Sequence, residues 1–295
     1  MTLPPLPYDE WAPTKWTLHL WCQIVGKIRL RSMPHRNHWW NVPLYVCARG
    51  LTTRLMHHRG VGFQIDFDFI DHVLIVSSES GNRETLALHD GLTVQAFYEW
   101  VRAALARMDL DVEVRSRPYG VPIDTPFERD TEHRSYDADA VRRWWQILSW
   151  SASVLEEFAG RYDGKTSPVH LFWHSFDLAV TRFSGRPAPV RAGAGTVERE
   201  AYSHEVISFG FWPGDEQTRY PAYYTYTAPE PGDLTATPLR PEAARWVQTS
   251  PTAHLGVLAY DVVRSAADPR AMLLDFLQNG YDAGSKRAEW PAAIA

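Results

Sequence analysis

The chain has 295 residues, of which 45% are hydrophobic and 22% charged. That is the length of two ordinary domains or one large merged one, and the composition excludes a disordered or fibrous protein. Thirty basic against 35 acidic residues leave a net charge of −5, so no broad cationic field recruits nucleic acid or an acidic membrane surface, and the two cysteines, Cys22 and Cys47, exclude a disulfide framework or a four-cysteine zinc site.

The N-terminus, MTLPPLPYDEW, has no basic start followed by an apolar run, so no signal peptide is expected. The longest charge-free apolar stretch, around Trp144 to Leu155, is too short for a membrane span. The chain therefore reads as soluble and cytoplasmic. After a proline-rich arm over 1–15, Leu18, Trp21, Cys22, Val25 and Ile28 recur at helical spacing and predict a helix over Trp16–Arg31, closed by Pro34. Alternation of Val42, Leu44, Val46 and Ala48 predicts a strand over Trp39–Leu51. Gly62–Ser78 reads as two strands joined by an Asp71-His72 turn, followed by a Gly81-Asn82 turn and a short strand over Glu84–Leu88. Thr93 is placed to cap a helix with Phe97, Trp100, Val101, Ala104, Leu105 and Met108 on its buried stripe. A short strand over Asp111–Arg115 precedes a loop rich in proline and charge, Ser116–Asp130.

In the second half Asp137 caps a helix whose Val141, Trp144, Trp145, Leu148, Leu155 and Phe158 face inward. A long strand, bent or bulged, is predicted from Ser167 to about Phe183, then a proline- and glycine-rich loop over Gly185–Gly195. Ala201–Phe211, Ala222–Thr227 and Leu255–Tyr260 read as further strands. Asp268-Pro269, a cap followed by proline at the first helical position, opens a last helix through Leu273, Phe276 and Leu277. The order suggests an α+β protein built of two pseudo-repeats of helix, about four mainly antiparallel strands and helix, packed around a shared cleft. The halves are 16–115 and 137–295, joined by a linker over 116–136, as separate units or one merged domain. The triplets Ile65, Phe67, Phe69 and Ile207, Phe209, Phe211 correspond in this scheme. A cleft between halves is the default place for a site.

The common catalytic signatures are absent. Gly164-Lys165-Thr166 resembles the end of a phosphate loop, but the first glycine is replaced by Ala159 and a helix precedes it. Gly60-Val61-Gly62 lacks the third glycine of a dinucleotide fingerprint, and no G-x-S-x-G elbow occurs. What remains are His, Asp, Glu and Arg within hydrophobic strands. Asp66 and Asp68 alternate with Ile65, Phe67 and Phe69, so both carboxylates share a face and suit acid–base work, a metal, or merely a wet strand face. His170 and His174 share a face of the predicted long strand, as metal ligands or as core. Glu200, Tyr202, His204 and Glu205 form the densest acid–base cluster, with His204 as general base or the whole as a common surface pattern. His19, Gln23 and Lys27 make a narrow polar stripe on the first helix, which faces water or, if the helix is buried, a cavity. Arg49, Arg182 and Arg186 sit at strand ends, where arginine captures carboxylate or phosphate. His38-Trp39-Trp40 offers a ring wall with an imidazole edge. The 13 tryptophans serve either a core of large rings or a pocket lined with them.

The segments HLWCQIVGKIRL (19–30), NHWWNVPLYVCARGLTT (37–53), FQIDFDFIDH (63–72), SPVHLFWHSFDLAVTRFSGR (167–186) and EAYSHEVISFGFWPG (200–214) resemble the bacterial domain-of-unknown-function family numbered 5996. The resemblance runs from Trp11 to about Tyr281 and implies one family-length unit. It carries over no catalytic role. It marks His174 as the atypical member, glycine being expected there, which pairs His170 with His38 or His204 instead.

The first expectation is an enzyme acting on a small anionic or aromatic molecule in the cleft. His204, Glu205, Asp66 and Asp68 would do the acid–base chemistry, and His170, His204 and His38 would hold a divalent metal (zinc, iron or manganese). Lys27, Arg49 and Arg182 would take the negative group, and Trp39, Trp40 and Trp173 would wall the pocket. The alternatives are a non-catalytic small-molecule-binding protein and a homodimeric scaffold, neither engaging nucleic acid or membrane.

Overall fold

The computed structural model describes residues 2–190 and 193–291. Arg191 and Ala192 of the predicted Gly185–Gly195 loop, and the extreme ends of the predicted arm and second half, therefore lie outside the described residues. The protein is α+β, with two antiparallel sheets and helices packed on them. Helix α1 covers Tyr8–Ser32 and begins eight residues before the predicted start, with Pro13 inside it. Asp9 and Glu10 suit the positive end of the helix dipole. Pro13 stays near enough to the first turn that it removes few intrahelical bonds. Every residue from Thr17 to Arg29 is buried, so this stretch of α1 is a central helix without a wet face.

The first sheet contains β1 (Tyr45–Cys47), β2 (Gly50–Thr52), β3 (Met56–His58), β4 (Val61–Asp68), β5 (Val73–Ser78) and β6 (Arg83–Ala87), in the order β1-β2-β4-β5-β6 with β3 also against β4. The single strand predicted over Trp39–Leu51 is in fact a turn of 3-10 helix at Asn37–Trp39 followed by a tight β1–β2 hairpin. Ile65, Phe67 and Phe69 are buried as their alternation required. Phe67 stacks on Phe97 of α2 (Val94–Arg107), which in turn stacks on Trp21 of α1. Thr93 caps α2, its Oγ1 accepting from Ala96 N at 3.0 Å. The strand predicted over Asp111–Arg115 is unpaired.

Helix α3 (Ala138–Gly160) is capped by Asp137, as predicted. The second sheet follows, with β7 (His170–Phe172), β8 (Asp177–Pro187), β9 (His204–Trp212), β10 (Ala222–Ala228), β11 (Arg245–Ser250) and β12 (Ala253–Ala259). Their order is β11-β12-β10-β9-β8-β7, with the short α4 (Thr196–Ala201) before β9. Each sheet has six strands where about four were expected. The predicted long strand from Ser167 is a β7–β8 hairpin whose turn holds Phe176 at φ 59°. Helices α5 (Tyr260–Arg264) and α6 (Pro269–Arg287) complete the chain, and Asp268 caps α6 through Ala271 N.

Alternation divides the second sheet into two faces. Leu178, Val180, Ile207, Phe209 and Phe211 are buried beneath α3 and α6, where Gly280 and Gly284 let α6 approach Thr225 and Thr227. Asp177, Ala179, Thr181, Phe183, Val206 and Ser208 take the other face. The sheets meet where Leu44 and Leu171 exchange backbone hydrogen bonds of 2.9 and 2.8 Å. One contiguous core runs through both sheets, with Trp11, Trp21 and Trp144 fully buried in it.

Candidate functional site

A cavity of about 1150 Å³ lies at this seam, between the C-terminal half of α1, the 38–42 segment and the free face of β7–β10. Many of its walls are rings, among them Trp39, Trp40, Phe172, Trp173, Phe183 and Tyr226. The position of Trp173 depends on Gly26 of α1, where a Cβ would lie 2.1 Å from the indole. With no side chain there, Trp173 crosses the helix and donates its Nε1–H to Val42 O at 3.0 Å. The tryptophans thus serve both purposes in separate places, some in the core and some as cavity wall.

Lys27 reaches the cavity from α1. It is buried, donates to Arg117 O at 2.8 Å, and sits beside the rings of Phe127 and Trp173. Burial, with the nearby Arg115 guanidinium, pulls its pKa down to about 8. Among the described residues no carboxylate pairs with it, and Arg115 stands exposed at the same end. The rest of the polar stripe on α1 is also buried. Gln23 donates to Tyr119 O at 3.0 Å and accepts from Tyr119 N at 2.8 Å, and His19 Nε2–H donates to His174 O at 3.2 Å. The stripe therefore ties the 117–119 loop and the β7–β8 turn onto the helix, instead of meeting solvent.

On the sheet face, Tyr224 and Ser175 both donate to the Asp177 carboxylate. Thr181 and Ser208 hydroxyls meet at 2.9 Å, and Tyr202 and Tyr226 hydroxyls at 3.1 Å. Burial and the nearby Asp177 charge raise Tyr224 well above the usual phenol range, and burial does the same to Tyr226. Both phenols are therefore protonated donors at neutral pH. Of these groups, Tyr202 and Ser208 were expected from the sequence on one strand face with His204, whereas Asp177, Thr181, Tyr224 and Tyr226 were not singled out for this face. Strand alternation through β8–β10 was the signal available, once the hairpin at 173–176 is placed correctly.

His38 lines the cavity in the left-handed region at φ 60°, as does Trp39 at φ 59°. Two consecutive non-glycine residues in that region represent local strain, held here by hydrogen bonds. His38 Nδ1–H donates to Ala201 O at 3.3 Å, Trp39 Nε1–H donates to Val197 O at 3.0 Å, and Lys165 donates to His38 Nε2 at 3.0 Å. Burial, then the Lys165 charge, lowers His38 to about 4. Both ring nitrogens are thus engaged, and a metal at Nε2 would have to displace Lys165. His170 also lines the cavity, and burial with Arg29 and Arg54 nearby takes it to about 3. Its Nδ1 is buried without a hydrogen-bond partner among the described residues.

Lys27, Trp39, Trp40, Trp173, His38 and His170 are thus gathered around one space, and the other candidates lie elsewhere. His204 contacts Ser203 and the edge of the His38 ring, 5.4 Å between centroids, without lining the cavity. Glu205 points to the other face and pairs with Arg186 at 2.7 Å. Asp66 accepts from Gln64 on the first sheet. Asp68 closes the turn after β4, accepting from Ile70 N, Asp71 N and Arg49. Arg49 is occupied by Asp68 and Asp71. Arg182 lies on the far face of β8, its guanidinium 3.6 Å from the Phe158 ring centroid. Among the described residues no three His, Cys, Asp or Glu side chains converge as a metal site. No helix among the described residues is long and apolar enough to cross a membrane.

The chain matches the family of unknown function DUF5996 over residues 3–295. No curated protein and no solved structure matches it.

Proposed function

Since the chain belongs to the DUF5996 family, whose function is unknown, its role has to be read from its own cavity, and we propose that the cavity binds a small organic anion with a planar, apolar body. One observation carries this: a ring-walled space of about 1150 Å³ in which the buried Lys27 has no carboxylate partner among the described residues. Apolar pockets with a few convergent polar groups are the usual form of a small-molecule site. A ligand carboxylate would supply the missing counter-charge, and its rings would lie against Trp173 and Trp40.

A catalytic reading is favoured by Asp177. Its carboxylate is held by Tyr224 and Ser175 at the cavity wall, where it can accept a proton from a bound molecule. This gives the acid–base work to Asp177, positioned by Tyr224, in place of His204, Glu205, Asp66 and Asp68.

The test is a calorimetric titration with 2-naphthoate and its neutral analogue 2-naphthamide. The expected result is one naphthoate per chain, bound about tenfold more tightly than the amide, with the difference abolished in Lys27→Met. Equal affinity for the two in the unaltered protein would remove the anion-binding assignment.

A further inference from the structure

We propose that Lys27 is a nucleophilic amine that forms a reversible imine with a carbonyl compound in the cavity, an aromatic aldehyde or 2-oxo acid whose anionic group faces Arg115. This rests on the cavity binding an organic anion, and names the substrate class of that site.

The chain has four lysines, Lys15, Lys27, Lys165 and Lys286. Lys27 is set apart by what it lacks. Lys15 is also buried, in a smaller neighbouring cavity of about 490 Å³, and burial lowers it to about 8 as well, but Glu216 and Asp215 lie close to it and supply the counter-charge that Lys27 lacks. Lys165 is occupied by His38. Lys286 is exposed on α6. Lys27 faces rings, a like charge and one backbone carbonyl. Desolvation and a neighbouring cation are the two ways in which a protein frees a lysine to act as a nucleophile. The bond to Arg117 O needs only one N–H, so a neutral amine keeps that anchor while its lone pair is free. With Lys27 near 8, its neutral fraction at neutral pH is roughly a hundredfold above that of an ordinary surface lysine.

The step balances without an oxidant or reductant. The amine nitrogen bonds to the carbonyl carbon while the carbonyl oxygen takes up a proton, giving a carbinolamine. Loss of the second N–H proton together with hydroxide, as water, leaves the C=N bond. Hydrolysis reverses both steps.

The experiment incubates the full chain with 4-formylbenzoate and sodium cyanoborohydride, which delivers hydride to any imine and fixes it as a secondary amine. Adducts are located by peptide mass spectrometry, and 2-naphthoate binding is measured on the same preparation. The expected result is a single adduct at Lys27, formed at least about tenfold faster than at Lys286, with a rate that rises towards pH 8. Lys27→Arg should lose it and Lys286→Arg should keep it. Labelling of Lys286 or the N-terminus as fast as Lys27, with 2-naphthoate still bound, overturns the imine and leaves the binding site standing. Absence of both naphthoate binding and the Lys27 adduct overturns both. If Lys27→Arg does not fold, the adduct map and pH profile of the unaltered chain decide the matter.

Discussion

The indole of Trp173 lies directly against Gly26, closer than any side chain at that position would permit. This contact aligns the central helix with the β7–β8 turn and fixes one wall of the cavity.

Gly26→Ala should therefore displace Trp173 and break its bond to Val42 O. Overpacking of this kind costs about 1–3 kcal/mol. The expected outcome is a lower midpoint in urea, together with weaker naphthoate binding. A variant as stable as the parent that binds naphthoate equally well would show that the contact is dispensable.

Gln23 holds Tyr119 through a reciprocal pair of hydrogen bonds, one donated and one accepted. Gln23→Leu keeps the buried volume but leaves both Tyr119 backbone groups without that partner, at a cost of about 1–3 kcal/mol. Amide exchange should accelerate around Tyr119 more than in β4 or β9, as read by hydrogen–deuterium exchange mass spectrometry. Uniform acceleration across the chain would mean that the clamp serves global stability only.

Three buried histidines set the acid limit. Burial, the first cause in each case, lowers His19 and His170 to about 3 and His38 to about 4. As pH falls through about 6.5 the unfolded chain binds protons that the folded one refuses, so stability is greatest above that value and declines below it. The decline slows only when the folded-state values near 4 and 3 are reached. The melting temperature should fall steadily from pH 6.5 to about 4.5, before most carboxylates titrate, and the dependence should be shallower in His170→Phe. A flat profile over that interval would contradict the burial of these rings.

Local signals placed the elements that depend on local physics. Thr93, Asp137 and Asp268 each cap the helix expected of them, and Ile65, Phe67 and Phe69 face the core. The errors share a cause. Ser167–Phe183 has no glycine, proline, asparagine or aspartate at 173–176, so no strong turn residue marks the break there, and without that turn His174 stays on a strand face and Asp177 falls on the opposite one. Trp39–Leu51 hides the β1–β2 hairpin in the same way. The polar stripe on α1 looked wet because its partners are backbone groups of a distant loop, which no sequence pattern displays. Lys27, Trp39, Trp40 and Trp173 do line the cavity, since large rings and a cation amid apolar residues are visible residue by residue. Asp68 and Arg49 were misplaced because a carboxylate that caps a turn and one that faces a ligand have the same spelling.

Arg182 makes the sharpest contrast between sequence expectation and structure. Placed near a strand end, it suggests anion capture, yet it is fully buried on the α3 side of β8, against Phe158 and Tyr281. It donates to Phe158 O in the last turn of α3, where a cation complements the negative end of the helix dipole. Burial lowers it to about 10, so it remains charged at neutral pH. Arg182→Ala removes the packing stem along with the charge and should cost about 3 kcal/mol, whereas Arg182→Met keeps the volume and should cost markedly less. Since the ligand cavity lies on the opposite face, both variants should bind 2-naphthoate with parental affinity wherever they remain folded. A loss of about tenfold or more in affinity, with the urea midpoint unchanged, would put Arg182 back among the ligand-binding residues.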